Sequence, residues 1–497
     1  MGVVQKQAFY NSFYSYIGVA LGYINLIVLF PLYFSSEQFG LVQLLVGVSS
    51  VYSQFGVVGL YNIINRYFPI LKTNDKYHNG LLLYTLLIGT SGFIIVTTLY
   101  VFLRPVIIGF YIKNSYLFLQ YYFEVIPLSL FTMVFFTFEI LVRVTLKSIF
   151  ATFVREVAYR LIITVGILLY IFKIIDFNYF ITLFVSSYGI CSFMVLIQIV
   201  SLKEFKLILP LKQFSPKRFF ELLKYGFYSL LSGAAMLVGQ KVDVLMIGSF
   251  VGLSVVGAYS LYYYIAAVIY IPMRSMSKIT VPMIADSWKN NNKEKISDIY
   301  RKSSLINLIF GCLIYIGVII NKDNLFYLIK KPEYIENFMM FPLIGLAILI
   351  DVSVGINSEI IGSSKRFRYD ALFNIVLLTV SIISNYFLIY WFGGIGAAFA
   401  AVLSFFIFNF LKWLFIFIRF KMQPLDHKQL LVLLVALISF TVGYCIPKIS
   451  IIFIDLFVRS MITTLIYGSG IIGLKISGDI NERFYHYIGF IIKKTGR

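Results

Sequence analysis

Charge is scarce in this 497-residue sequence. Asp, Glu, Lys and Arg together make up 13% of it, about half the share of an average soluble domain. The remainder is apolar to a degree no soluble core can hide, with 60% hydrophobic residues and a mean hydropathy of +0.88, because a growing globule still keeps a large wet surface. Cysteine is nearly missing too. Cys191, Cys312 and Cys445 stand far apart, each in an apolar stretch, which excludes a disulfide framework and any zinc-ligand spacing. The three histidines, His78, His427 and His486, fall in loops or the tail and form no metal cluster. No G-x-x-x-x-G-K-[ST] loop occurs, which excludes nucleotide hydrolysis by that route. The run Gly468 to Gly473 matches G-x-G-x-x-G in form, but it lies inside an apolar segment with no strand before it, so it reads as close helix packing by small residues. No Ser-His-Asp, Cys-His or paired-carboxylate constellation presents itself.

What is present is a series of apolar runs of the roughly 20 residues that span a bilayer. They predict helices near 13–34, 39–62, 80–103, 118–141, 151–172, 177–201, 224–250, 254–285, 303–320, 337–361, 371–390, 394–418, 429–447 and 450–474. The first is expected to be a retained helix rather than a cleaved signal, because no small-residue cleavage site follows a short apolar core. The net charge of +20 would suggest nucleic acid in a soluble protein. Here the cations sit between the spans instead, so no nucleic-acid partner is expected. With the N-terminus placed in the cytoplasm, 30 Lys and Arg fall on inner segments and 7 on outer ones, the bias the positive-inside rule demands. Both termini are then cytoplasmic and the span count is even.

The chain also repeats itself weakly. FPLYFSSEQFGLVQLLVGV runs on to NRYFPIL, and IGSFVGLSVVGAYSLYYYI runs on to SKITVPMIA. In each, a short outer turn leads to a glycine inside the next helix (Gly40, Gly257), and that helix ends with a cation shortly before a proline (Arg66 before Pro69, Lys278 before Pro282). Six helices separate the copies, so the repeat is parallel, a known transporter plan with the substrate site between halves. The expected fold is therefore an all-α polytopic membrane protein of about 14 transmembrane helices: an N-lobe of six over 1–201, a basic cytoplasmic connector over 202–223, a C-lobe of six over 224–418, two further helices over 429–474 and a cytoplasmic tail over 475–497.

An ionisable side chain in hydrocarbon costs at least about 2.5–3.5 kcal/mol, so each one asks for a partner, a cavity or a snorkelling route. Lys241 and Asp243 lie deep in the seventh span, two residues and so about 200° apart. One can face a wet lumen while the other pairs with a neighbour, or both can belong to structural ion pairs. Arg274 and Lys278, four apart on one helix face, repel each other. They suit water or an anion, or else snorkel to the inner interface. Arg66 is their equivalent in the other half, and the three would ring the inner mouth of a central cleft. These four cations, Arg66, Lys241, Arg274 and Lys278, are the candidate substrate-binding residues. Asp243, Glu124, Glu139, Asp351 and Glu359 are candidates for coupling ions or for structural pairs. Asp455 and Arg459, spaced i,i+4, read as a local ion pair.

Three stretches carry a resemblance. Residues 30–72 resemble the opening helix pair of lipid-linked oligosaccharide flippases of the O-antigen (Wzx-type) group. Residues 223–266 resemble their seventh and eighth helices, including Asp243 and the Gly-x-Tyr at 257–259, and residues 359–404 resemble their tenth to twelfth. The resemblance implies two six-helix lobes around a cationic cavity, a fold shared with multidrug and toxic-compound extruders. It implies no enzyme activity and no cofactor. The implied task is turning an undecaprenyl-pyrophosphate-linked glycan across the bacterial inner membrane by alternating access, with proton or sodium coupling left open. Its implied partners are that lipid-linked glycan, membrane lipids and other polysaccharide-assembly proteins. The rivals are a multidrug exporter of the same fold, which would want acids facing its cationic cargo, and a membrane glycan polymerase or ligase, which would want a large outer loop.

Overall fold

The computed structural model describes residues 3–204, 215–484 and 486. Residues 205–214 of the expected connector and most of the expected tail lie outside them. Among the described residues the chain is all helix with no strand, and the protein is a multi-pass membrane protein. Contacts divide it into two compact units, Met1–Leu261 with Ile389–Gly394, and Tyr262–Leu388 with Ile395–Arg497.

The first unit holds α1 (Val3–Tyr23), α2 (Ser36–Gly56), α3 (Leu60–Leu71), α4 (Leu81–Phe102), α5 (Val125–Val144), α6 (Tyr159–Ile171), α7 (Phe177–Leu202), α8 (Pro216–Phe250) and most of α9 (Leu253–Ala266). The second holds α10 (Tyr270–Lys289), α11 (Lys293–Ile320), α12 (Met340–Ser353), α13 (Asn357–Gly362), most of α14 (Arg368–Phe392) and α15 (Gly394–Phe420), then α16 (His427–Cys445) and α17 (Ile452–Gly473). The sequence repeat begins its second half at residue 224, whereas the packing division falls at Leu261, because α8 lies along α2 within the first unit.

By length and composition 11 of the described helices cross a membrane, or 12 when the two arms of α8, bent by 49° just after the small-residue run Gly233-Ala234-Ala235, count as one span. Fourteen were expected. The remaining two segments are helical but do not qualify, for visible reasons. The one at 151–172 runs from Ile149 through a π-helical stretch (Val154–Ala158) into α6, and Arg155, Glu156 and Arg160 shorten its apolar length. The one at 337–361 is broken: α12 stops after 14 residues, Gly355 takes a left-handed φ of +69°, and α13 restarts for six.

The first unit's core gathers Ile64, Phe135, Leu141, Val154, Cys191 and Val195 from α3, α5, α7 and the π stretch. Large apolar side chains also line the outside, Ile94, Ile95, Leu99 and Phe102 of α4 among them. On a soluble protein so wide an apolar surface would aggregate; here it meets acyl chains, and closed helices keep their backbone groups satisfied in lipid.

The two repeat copies meet directly. A Cβ on Gly40 would lie 1.8 Å from the Leu253 carbonyl oxygen and 3.0 Å from the Gly257 nitrogen, and one on Gly257 would lie 2.2 Å from the Ser36 carbonyl oxygen. Ser36 and Ser254 share a hydroxyl hydrogen bond of 2.7 Å beside the crossing. The same residues in each copy thus face each other, backbone on backbone, which only glycine permits. Lower down, Gly59 at φ +72° opens α3 against Gly226 of α8, where a Cβ would meet the Gly226 carbonyl oxygen at 2.3 Å.

At the end of α7, Glu204 accepts from Lys76 at 2.7 Å and from Lys147 at 3.2 Å, tying the α3–α4 and α5–α6 connections to one carboxylate. These hydrogen bonds, that from Lys76 foremost, hold the Glu204 carboxyl below its ordinary range.

Two outcomes follow. Gly40→Ala should overpack the crossing and cost about 1–3 kcal/mol, seen as a lower thermal midpoint, whereas Gly109→Ala, with open space around it, should leave the midpoint unchanged. Because the folded state favours ionised Glu204, the clamp stabilises above the ordinary glutamate range and fades as pH falls through the depressed value. The midpoint difference between wild type and Glu204→Gln should therefore be largest near neutral pH, shrink below about pH 4, and weaken in salt, since both lysines are more than a third exposed.

Candidate functional site

In the first unit the candidate cations are left open. Arg66, exposed near the end of α3, stacks on Tyr225 at 4.5 Å and Tyr67 at 5.7 Å, which holds the guanidinium in place while leaving its N–H donors available. Lys241 of α8 is half-buried and makes no ion pair or hydrogen bond among the described residues. Asp243 does not pair with it: its Oδ2 accepts from the Tyr259 hydroxyl at 2.5 Å, as the two-residue spacing anticipates.

The acids behave in the opposite way. Glu139 is buried on α5 and accepts from Arg143 at 2.5 Å and Arg155 at 2.6 Å. Arg155 also reaches Glu156 at 3.0 Å, which takes Arg160 at 2.9 Å. Arg143, Arg155 and Arg160, which fall among the 30 cations assigned to inner segments from the sequence, are partners of these carboxylates. Arg160 further presses on α1, where a Cβ on Gly18 would stand 2.1 Å from its guanidinium. Its carbonyl accepts from Asn25 at 3.1 Å, in a second π-helical stretch, Ile24–Leu29. Glu124 stands apart at the start of α5, away from this cluster.

In the second unit Arg274 is exposed on α10 and lies 5.7 Å from the Tyr270 ring centre, and Lys278 is exposed one turn on. Neither makes an ion pair or hydrogen bond among the described residues. Asp351 and Glu359 belong to a polar network across the α12–α13 break. Asp351 accepts from the Tyr270 hydroxyl at 2.8 Å and from Asn409 at 2.9 Å. Asn409 in turn accepts from Asn357 at 2.9 Å. Glu359 accepts from Ser277 at 2.7 Å, and its other carboxylate oxygen is buried without a partner. Lys412, 1% exposed on α15, donates to Ser358 and to Asp370, both at 2.7 Å, and sits 4.1 Å over the Phe408 ring. Sequence reasoning missed Lys412 and Asp370, although a lone lysine in a 27-residue apolar helix is itself a signal that a partner exists. The expected Asp455–Arg459 pair forms at 3.0 Å, and Asn324 adds a 2.7 Å hydrogen bond to the acid. No group of three or more His, Cys, Asp or Glu suited to a metal ion occurs among the described residues.

The four candidate cations thus stand open, while Glu139, Asp243 and Asp351 are engaged and Glu359 keeps one oxygen unpartnered. Residues 4–288, more than half the chain, match the family described as polysaccharide biosynthesis protein. The chain belongs to that family. Residues 229–391 also match the family described as MatE. A probable low-salt glycan biosynthesis flippase of Haloferax volcanii is 26% identical over 205 residues, 40% of this chain and 42% of that protein. The chain spans about half the length, or less, of the curated relatives it matches. Among solved structures, the lipid II flippase MurJ in an inward closed conformation superposes with a TM-score of 0.76 at 15% identity, covering 94% of this chain and 99% of that one. An inward-facing multidrug resistance MATE transporter gives 0.64 at 14%, covering 81% and 94%. The fold is thus shared with both.

Removing Lys412 strands a carboxylate that is 26% exposed. Lys412→Met should cost about 2–3 kcal/mol, below the range for fully buried pairs, and adding Asp370→Asn should restore most of the loss. A double-mutant cycle on thermal midpoints checks this.

Proposed function

We propose that this chain is a flippase that carries an undecaprenyl-pyrophosphate-linked oligosaccharide from the cytoplasmic to the outer leaflet of a bacterial inner membrane by alternating access, with both termini cytoplasmic. The observation that carries the reading is that Arg66, Lys241, Arg274 and Lys278 make no ion pair among the described residues, while Glu139, Glu156, Asp370 and Asp455 each hold a cation. The open charge is positive, and a pyrophosphate headgroup carries about two negative charges that hydrocarbon rejects. Family membership supports the polysaccharide context, and a named glycan flippase is among its relatives.

The energetics are favourable. With the interior negative, one charge moved outward through 100 mV gains about 2.3 kcal/mol, so a doubly charged head gains roughly twice that. If a proton or sodium ion is also used, Glu359 is the candidate with a carboxylate oxygen still unpartnered; Glu139 is already engaged by two arginines. The multidrug reading draws on the MatE match, but a cationic drug would need open acids where the open charges are basic.

The test is leaflet accessibility of a labelled lipid-linked oligosaccharide in proteoliposomes. Losing a charge-assisted contact is worth about 1.5–3 kcal/mol, so Arg274→Gln with Lys278→Gln should slow transfer at least tenfold while insertion stays normal, and the charge-keeping Arg274→Lys with Lys278→Arg should retain most activity. Transfer undiminished in the Gln variant would remove these residues from the site, and no protein-dependent transfer of any lipid-linked glycan would remove the function.

A further inference from the structure

The first unit carries a second basic feature, apart from the four candidate cations. A cavity of about 700 Å³ opens between the start of α1, the turn after α5 and the last turns of α7, lined by Lys6, Tyr14, Lys147, Phe150, Phe153 and Gln198 together with Gln7, Leu146 and Ile149. Its walls are mostly aromatic and aliphatic, and two ammonium groups stand among them. Lys6 makes no ion pair among the described residues, and Lys147 shares Glu204 with Lys76, so one negative charge is already spent on two lysines and the cavity remains net positive. Gln198 donates to the Lys147 carbonyl at 3.0 Å, while its side-chain oxygen is buried with no hydrogen bond. These helix ends lie on the side that the Lys and Arg pattern marks as cytoplasmic.

We propose that this cavity binds one anionic glycerophospholipid of the inner leaflet, its phosphate on Lys6 and Lys147 and its acyl chains along Tyr14, Phe150 and Phe153. A small inorganic anion would leave the aromatic wall uncovered, and a neutral lipid would leave the net positive charge unmatched. A headgroup hydroxyl would supply the donor that the Gln198 oxygen lacks. Basic pockets between helices at the cytoplasmic side are suited to such headgroups, with about 1 kcal/mol per cation near the surface. The site does not depend on what the protein transports. Seated there, the lipid adds to the polar contacts by which α1 and α7 already hold the α5–α6 connection, Asn11 to Ser148, Gln198 to the Lys147 carbonyl and Glu204 to Lys147.

The experiment is native mass spectrometry of the full chain purified in detergent and exposed to phosphatidylglycerol or to phosphatidylcholine of the same acyl chains. Wild type is expected to retain one phosphatidylglycerol at least tenfold better than phosphatidylcholine, and Lys6→Gln with Lys147→Gln to bring the two to parity. Lys6→Gln alone, exposed and outside any ion pair, leaves the fold untouched and should lower retention several-fold. Glu204→Gln, which breaks the clamp but keeps both cavity lysines, should retain the lipid. Equal retention of the two lipids by wild type, full retention by the Lys variants, or loss in Glu204→Gln matching that of the double variant would each overturn the proposal.

Discussion

An ionised side chain held in hydrocarbon must be answered, and the structure answers its two signs differently. Carboxylates are met from within each unit: Glu139 by two arginines, Glu156 by Arg155 and Arg160, Asp370 by Lys412, Asp455 by Arg459. Asp243 and Asp351 draw on tyrosine hydroxyls. Breaking any such pair leaves one charge uncompensated, which costs far more than the pair contributes. These six acids are therefore fixtures of the scaffold, Glu359 keeps one oxygen unpartnered, and the candidate cations form a surplus that stays unpaired among the described residues.

That surplus is held on rigid elements. Arg66 lies over Tyr225 and beside Tyr67, Arg274 lies over Tyr270, and the same Tyr270 donates to Asp351. A cation fixed by an aromatic face loses little side-chain freedom on meeting an anion and keeps its hydrogen-bond donors. The broken α12–α13 segment, with Gly355 at its hinge, places polar groups at membrane depth only where protein encloses them, which is where a bilayer tolerates them.

Much of the helical plan was legible in the sequence because hydrocarbon thickness imposes a length on every span. The repeat pointed to Gly40 and Gly257, and those two residues do meet. The i,i+4 spacing of Asp455 and Arg459 gave their pair directly. Other features were hidden for physical reasons. Residues 340–361 are apolar enough on average to read as one span despite Asp351, Asn357 and Glu359, and the left-handed Gly355 that stops the helix shows only in the fold. Lys412 and Asp370 are 42 residues apart, and only folding brings them together. Arg155 and Arg160 look like loop charges until the π-helical stretch carries them against Glu139 and Glu156.

The crossing of Gly40 and Gly257 has a bearing on how such chains diverge. Its contact surface is peptide carbonyl and nitrogen, atoms that every amino acid possesses, so complementarity there does not rest on any matched set of side chains. Neighbouring positions are free to drift provided those two sites stay bare. A contact made of peptide atoms places few demands on the side chains around it, and the fold is shared with MurJ at 15% identity.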